Sequence, residues 1–329
     1  MTKPVSMDPA GSVPAIPRLS AWIVAHEPML VKKTRKRLGV GPRAFAASGL
    51  AIVGSAVIIA IAIFLAPADQ RDLLLAATLL AFGAGIALTS VGVYGGILVP
   101  GLLLLGVDPR FAAPLSLFLQ VLIVPFGAGA HYRLGNVKRG VVVPLVFGGV
   151  VGAVLGPIVA SFFEPQAIRL AVELLIIVAA ILLLVSLPLK NMQVPRELGD
   201  EPTARVGVIG AASGMASGLS GAGWGPMGVT FLILSRIEPR YAVGSSVFGR
   251  IFMAAAAVLS AAVVLLVTPG LYDAVDPQWI IVLPLLMASV AAMLPGAVLA
   301  TRLGRTRMSV LIAVTSIVLA SMALVGSML

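Results

Sequence analysis

The chain has 329 residues, of which 59% are hydrophobic and 11% charged, and its mean hydropathy is +1.08. Soluble domains carry roughly 25% charged residues, so this composition excludes an ordinary water-soluble protein. The chain contains no cysteine and two histidines, His26 and His131. That inventory excludes a disulfide framework and a thiolate metal site, and we expect neither a metal nor a cofactor.

The net charge of +10 is concentrated near the N-terminus. Eight of the 23 basic residues fall in the first 45 positions, including the run KKTRKR at 32–37. Basic residues just before a hydrophobic span hold a tail in the cytoplasm, so we interpret residues 1–45 as a cytoplasmic tail and expect no nucleic-acid partner. Contact of this tail with anionic lipid is the alternative.

Apolar runs of about 20 residues predict membrane-spanning helices, and here they follow one another along the whole chain. The runs lie at 46–66, 72–105, 111–130, 141–163, 167–188, 206–235, 241–268, 279–301 and 308–328. The predicted fold class is an all-α polytopic membrane protein of the cell (inner) membrane, with the lipid bilayer as its surroundings.

Two of these runs are too long for a single straight span. A helix from 72 to 105 would be about 51 Å long, against a hydrocarbon core of about 30 Å. Both 72–105 and 206–235 contain glycine clusters, SVGVYGGILVP from Ser90 and SGAGWGPMG from Ser220. Glycine and proline weaken helix interiors, so each run is predicted to be two half-helices that meet at a break.

An internal repeat relates the two broken runs. A shift of 130 positions aligns Gly95 with Gly225 and the segment DPRFA with EPRYA, and a further shift of ten aligns Gly156 with Gly296. The chain is therefore predicted to contain, after its tail, an extra transmembrane helix at 46–66, a first repeat at 72–188, a cytoplasmic linker at 189–205 and a second repeat at 206–329.

The distribution of basic residues favours inverted halves. If each broken run enters and leaves on the same side, eleven basic residues outside the tail face the cytoplasm, and Arg71, Arg110 and Arg169 face outward. If both runs cross fully, the basic residues divide seven to seven, against the positive-inside tendency. We therefore predict two inverted halves with re-entrant broken helices, a cytoplasmic N-terminus and a C-terminus outside.

The breaks are predicted to bind an anion. A half-helix that begins at a break presents unpaired N–H groups and about half a positive charge. Paired interruptions in two halves of a transporter indicate its substrate site. The predicted ligand-binding positions at the breaks are Tyr94, Gly95, Gly96, Gly223, Trp224 and Gly225. The alternative is that the glycines serve close helix packing.

Arg250 lies about 15 Å into its predicted helix, too deep for easy snorkelling. A deep arginine needs a cavity or a fixed partner, and its planar fork suits the oxygens of an anion. Gln120 occupies the equivalent position in the first half, and Ser116 and Ser246 precede the two by one turn. All four are predicted to contribute to substrate binding.

Glu173 is the acid placed well inside a predicted span. It is a candidate to carry a coupling proton, with H⁺ as the candidate coupling ion. The alternative role for Glu173 is a structural pair with Arg250.

The segments VPGLLLLGVDPRFAAPLSL, RLGNV and SGLSGAGWGPMGVTFLILSRIEPRYAVGSS together resemble the sulfite exporter TauE/SafE family of membrane transporters, over about residues 75 to 328. The resemblance implies a carrier of sulfite, thiosulfate or small organosulfur anions such as C2 sulfonates, working as an exporter driven by ion gradients. The family's glycine cluster is denser than the one here. The aromatic residues Tyr94 and Trp224 at the breaks therefore suggest a shaped pocket.

Three other functions compete with this interpretation. An anion channel could use the same dipoles and arginine. The motif GLSGAG, with Ser220, resembles rhomboid-type intramembrane proteases, but a serine nucleophile needs a nearby histidine, and neither His26 nor His131 is predicted at mid-membrane. A purely structural protein would not need a buried Arg250. No Walker-type ATP motif is present, in agreement with a secondary carrier.

Overall fold

A computed structural model describes residues 42–107, 109–163, 165–186, 203–268, 279–303 and 305–326. The predicted basic tail up to residue 41, most of the predicted linker and the loop at 269–278 lie outside the described residues. The chain forms one compact unit from Gly54 onward and a separate unit up to Val53, of which residues 42–53 are described and helical.

The described residues contain helices and no strand, which confirms the predicted all-α class. The α-helices in chain order are α1 Pro42–Leu65, α2 Arg71–Ser90, α3 Gly95–Leu104, α4 Pro109–Arg133, α5 Arg139–Ala160, α6 Pro165–Ser186, α7 Thr203–Ser220, α8 Thr230–Leu234, α9 Pro239–Val267, α10 Val282–Arg302 and α11 Arg305–Gly326. A π-helical turn, Trp224–Val229, precedes α8, and short 3₁₀ turns at Ala68–Gln70 and Trp279–Ile281 precede α2 and α10.

Five helical stretches among the described residues are long and apolar enough to cross a membrane: Ala68–Ser90, Phe111–Arg133, Arg139–Ala160, Pro239–Val267 and Trp279–Ala300. Large apolar side chains cover their outer surface, including Leu79, Phe147 and Leu266. Such a surface is costly in water and suited to lipid, so the protein is a multi-pass membrane protein.

Each broken run folds back on itself. In the first, a Cβ atom added to Gly101 of α3 would lie 3.0 Å from Cγ of Leu80, which belongs to the middle of α2. In the second, a Cβ atom added to Gly228 would lie 3.0 Å from Oγ of Ser213 in α7. We call α2–α3 (71–104) the first hairpin, and α7, the π turn and α8 (203–234) the second hairpin.

Left-handed glycines end the entering helices of both hairpins. Gly92 has φ of 82°, two residues after α2 ends, and Gly221 has φ of 73°, directly after α7 ends. A residue with a side chain is strained in that conformation, and a left-handed glycine is a common helix terminator. The glycines at the breaks therefore end each helix at a defined residue.

The hairpins are held by parallel helix pairs with very close backbones. Gly85 of α2 contacts Ser289 of α10, and Gly296 further along α10 contacts Ile86 and Thr89, so the two helices run in the same direction. In the other pair, Gly148, Gly152 and Gly156 of α5 contact successive turns of α7. Small residues permit such close approach between helices in a membrane.

Candidate functional site

The two breaks meet each other directly. A Cβ atom on Gly95 would collide with the carbonyl oxygen of Gly221, and one on Gly225 would collide with the carbonyl oxygen of Gly92. Residues 91–96 are all buried. In this conformation Gly95 and Gly225 therefore allow the backbone of the opposite break to approach, as the packing alternative predicts.

Arg250 lies at this crossing. It extends from α9 with a relative exposure of 1%, and its Nη2 atom donates a hydrogen bond of 2.7 Å to the carbonyl of Gly92. The same Nη2 atom lies 2.8 Å from the position that a Cβ atom on Gly225 would take. The guanidinium is thus in contact with both breaks, and the sequence-predicted residues Arg250 and Gly225 are brought together.

Gln120 orients Arg250 from the facing helix α4. Its Oε1 atom accepts a hydrogen bond of 3.1 Å from Nη1 of Arg250. Its Nε2 atom donates to the carbonyl and to Oγ of Ser116, at 3.0 and 3.2 Å. Both polar ends of this amide are therefore held by protein groups, and Gln120 and Ser116 position the arginine. The hydrogen-bond acceptors of Arg250 are Gln120 and Gly92, rather than Glu173 as the structural alternative proposed.

Two polar atoms at the crossing have no hydrogen-bond partner among the described residues. They are Nε of Arg250 and Oγ of Ser246, one helical turn earlier on α9. An unsatisfied buried polar group costs about 1–3 kcal/mol, so such atoms are uncommon without a reason. Arg250 and Ser246 together offer two donors that an anion's oxygens could accept from.

Tyr94 and Trp224, equivalent by the 130-residue shift, are anchors of the breaks. The Tyr94 hydroxyl is 2.9 Å from Oγ of Ser289 on α10. The Trp224 indole donates to the carbonyl of Ser246 at 3.1 Å, and its ring packs against Gly149 of α5. Both side chains are buried between scaffold helices. These contacts show that both aromatic residues help to hold the hairpins, and their place in a shaped pocket stays a prediction.

Gly96 and Gly223 are part of the two hairpins, and Glu173 lies on α6, which packs on the second hairpin. Gly96 is in the first turn of α3, where the helical hydrogen bonds begin with those of Ile97 and Leu98 to the carbonyl of Tyr94. Gly223 packs against Ala216 of α7. Glu173 on α6 is 4% exposed, and one turn later Ile176 packs against Ala216 and Met227 of the second hairpin.

Sequence reasoning missed the role of His131, which it placed at the cytoplasmic end of α4 and set aside. The imidazole is fully buried, with Nε2 at 2.7 Å from the carbonyl of Thr89 and Nδ1 at 3.2 Å from Nδ2 of Asn136. Asn136 belongs to the RLGNV segment. A histidine five residues before an asparagine in a tight turn was the available signal.

The protease alternative lacks its catalytic pair. Oγ of Ser220 donates to the carbonyl of Ala216 at 2.9 Å and accepts from the N–H of Ala222 at 3.2 Å. His131 is bonded to Thr89 and Asn136 instead. A serine hydroxyl needs a base in hydrogen-bond reach to become a good nucleophile, and among the described residues, which leave out His26, Ser220 is bonded to no histidine.

Comparisons with known proteins agree on a transporter family. A sequence profile described as "Sulfite exporter TauE/SafE" matches residues 77–323. The chain is 28% identical over 165 residues to the probable membrane transporter protein YtnM of Bacillus subtilis (strain 168), an alignment covering 47% of this chain. The chain spans about half, 53%, of the length of that curated relative. No solved structure matches it.

Proposed function

Because the chain belongs to the sulfite exporter TauE/SafE family of membrane transporters, we propose that it is a secondary carrier of small sulfur-containing anions such as sulfite, thiosulfate or C2 sulfonates. The proposed direction is export, and the proposed mechanism is alternating access around the crossing of the two breaks. The observation that carries the proposal is the buried guanidinium of Arg250 between both breaks, with a carbonyl and an amide as its acceptors.

The chemistry of Arg250 favours an oxyanion. A buried arginine stays charged, and neither of its two acceptors carries a charge to balance it. A sulfite or sulfonate group supplies both the missing charge and several acceptor oxygens for Nη2, Nε and the Ser246 hydroxyl. The proposed site consists of Arg250 and Ser246, positioned by Gln120 and Ser116, with the first N–H groups of α3 at Gly95 and Gly96 nearby.

The helix contacts support the inverted-repeat part of the proposal. The first hairpin's α2 packs on α10 of the second half, and the second hairpin's α7 packs on α5 of the first half. The return arms follow the same pattern: α3 of the first half packs on α11 of the second half, and α8 of the second half packs on α6 of the first half. Such reciprocal contacts are expected when two equivalent halves are related by a two-fold axis, as in transporters built from inverted repeats.

The contact between the breaks supports a carrier over a channel. Backbone of one break lies against backbone of the other around Gly95 and Gly221, so this conformation has the crossing closed. A carrier needs such a closed state between its two open ones. In the proposed cycle, an anion at Arg250 replaces the carbonyl of Gly92 as the acceptor, and the first hairpin then separates from α9.

The test is sulfite or C2-sulfonate flux in proteoliposomes. Arg250→Ala should lower flux at least about thirtyfold, because losing one side of a buried charged contact costs roughly 2 kcal/mol or more. The control is Arg240→Ala, since Arg240 is exposed and paired with Glu238 at 2.9 Å. Undiminished flux in Arg250→Ala would refute the site, and flux that rises without saturation would favour the channel.

A further inference from the structure

His131 is a buried titratable group for which the proposed anion site has no use. It lies in the last turn of α4, and its ring bridges two separate elements. On one side Nε2 meets the carbonyl of Thr89, at the end of α2, and on the other side Nδ1 meets the amide of Asn136 in the turn after α4.

The two partners define the protonation state of this ring. A carbonyl can only accept, so Nε2 carries the hydrogen that binds Thr89. The Asn136 Nδ2 atom donates, so Nδ1 is the acceptor and carries no hydrogen. A second proton on Nδ1 therefore requires the Asn136 amide to turn its oxygen toward the ring or to move away.

Both hydrogen-bond partners of His131 lie next to segments that bind or carry Arg250. Thr89 is three residues before Gly92, whose carbonyl binds the guanidinium. Asn136 packs on the other element: a Cβ atom on Gly244 of α9 would lie 2.7 Å from Cβ of Asn136. Gly244 is six residues, or about 9 Å of helix, before Arg250. Asn136 therefore lies against the first turns of the helix that carries Arg250, and a shift of Asn136 would displace its contact with that helix.

A second contact strengthens the link between this turn and α9. The N–H of Lys138 donates to Oγ of Ser245 at 3.0 Å, and the Lys138 ammonium lies 4.3 Å from the centre of the Tyr241 ring. The turn at 134–138 therefore has attachments to His131 and to the first two turns of α9.

The charged groups around this end of α4 determine when protonation of the His131 imidazole is favourable. Near this end of α4, on the described elements packed here, the charged groups are the anion Glu238, which is paired with Arg240, and the cations Arg133, Lys138, Arg139, Arg240, Arg250 and Arg302. The titratable phenols there are Tyr132 and Tyr241, and Asp72 and Arg71 lie at the opposite end of α2, about 25 Å away. Cations oppose a charged imidazole, and an anion bound at Arg250 would offset them.

We propose that His131 is a proton-binding site that regulates anion binding, and that Thr89 and Asn136 connect its protonation to the anion site at Arg250. The inference rests on the proposed anion site. Proton and anion then favour each other's binding, and this coupling is reciprocal by thermodynamic linkage.

The first test observes the ring directly. In a His26→Gln background His131 is the sole histidine, so ¹⁵N NMR of imidazole-labelled protein in lipid reports on it alone. We expect a neutral ring with hydrogen on Nε2 at pH 8, and an imidazolium on acidification, with a higher midpoint when ethanesulfonate is present. A ring that stays neutral at pH 5 with saturating sulfonate, or a midpoint unmoved by sulfonate, would overturn the proposal.

The second test measures affinity. Ethanesulfonate keeps one charge between pH 5 and 8, so any pH dependence of its Kd belongs to the protein. In the His26→Gln parent, affinity should rise roughly fivefold or more from pH 8 to pH 5, the usual size of coupling between two sites. His131→Gln keeps a donor for the Thr89 carbonyl and cannot take a proton, so its affinity should not vary with pH.

The outcomes separate the two proposals. A His131 with a purely structural role would change the affinity of the Gln variant by the same factor at every pH and leave the pH dependence intact, which overturns the coupling. Absence of ethanesulfonate, sulfite and thiosulfate binding to the parent at every pH would instead contradict the proposed function, while the NMR titration still shows whether His131 takes up a proton.

Discussion

The two hairpins have the same contact plan and differ in how closely they dock. Where α7 of the second hairpin has Gly210, Gly214 and Gly218, the equivalent positions of α2 are Leu80, Ala84 and Leu88. Gly210 and Gly214 contact the backbone of α5 directly. Backbone also approaches backbone in the first hairpin, at Gly85 of α2 and Gly296 of α10, but the second hairpin has more such contacts, so we expect the first to move more easily.

The return arms differ as well. The first hairpin returns through the regular ten-residue helix α3, and the second through a π turn of six residues followed by the short α8. The position of proline also differs between the arms. Pro226 is the third residue of the π turn, whereas Pro100 is the sixth residue of α3.

The largest effect is expected from an experiment on membrane topology. If the broken runs are re-entrant hairpins, each end of α5 lies on the side of the membrane opposite to the side where full crossings would place it. The chain is free of cysteine, so single cysteines can be introduced. With inverted hairpins, Ser161→Cys should react with a thiol reagent added outside, and Arg139→Cys should react only from the cytoplasmic side. Both residues are exposed, unlike the neighbouring Asn136. The reverse pattern would rule out re-entrant hairpins.

The next effect compares docking surfaces. Gly210→Ala places a Cβ atom against the carbonyl of Leu145 and 3.0 Å from the N atom of Gly149, which are backbone groups that cannot rotate away. We expect a loss of stability of about 3 kcal/mol, the upper range for overpacking. Gly207→Ala is the matched control, because its nearest neighbour would be 3.7 Å away. Equal thermal unfolding of the two variants in detergent would contradict the docking difference.

The contact between the halves can be tested through Gln120. Gln120→Leu removes an acceptor from a buried cation, which should lower the free energy of unfolding by about 1.5–3 kcal/mol. In an Arg250→Leu background the same change should cost little, because removing both partners is nearly neutral. A double-mutant cycle on unfolding free energies measures this coupling, and additive losses would show that the two side chains act independently.

The smallest effect distinguishes two equivalent serines. Ser116→Ala removes a hydroxyl that accepts from Gln120 and should cost about 1 kcal/mol of stability. Ser246→Ala removes a hydroxyl without a partner among the described residues, so stability should stay unchanged while sulfonate affinity falls. Calorimetric binding and thermal unfolding of both variants provide the check. A Ser246→Ala protein with normal affinity would remove Ser246 from the site.

The hydrophobic runs and the breaks could be predicted from the sequence because both follow from local composition. Apolar run length gives the spans, and the left-handed conformations at Gly92 and Gly221 fall inside the predicted clusters. The grouping of Arg250 with Gln120 could also be predicted, because the repeat places them at equivalent positions one on each half.

Contacts between distant segments could not be predicted. The nearest neighbour of Gly95 is the carbonyl of Gly221, 126 positions away in the sequence. This contact depends on how the two hairpins cross. For the same reason the sequence did not predict the contact of Tyr94 with Ser289 or that of Trp224 with the Ser246 carbonyl. The burial of His131 could not be predicted either, because a position near a helix end carries no information on which neighbouring elements cover it.

The meeting of Gly95 with Gly221, and of Gly225 with Gly92, places bare main chain at the centre of the molecule. Side chains can change rotamer and let neighbours slip past one another, but peptide planes in contact are rigid. The crossing is therefore a rigid contact. For one hairpin to move past the other, these peptide groups must separate as units, because Gly95 and Gly225 have no side chain that could rotate to make room.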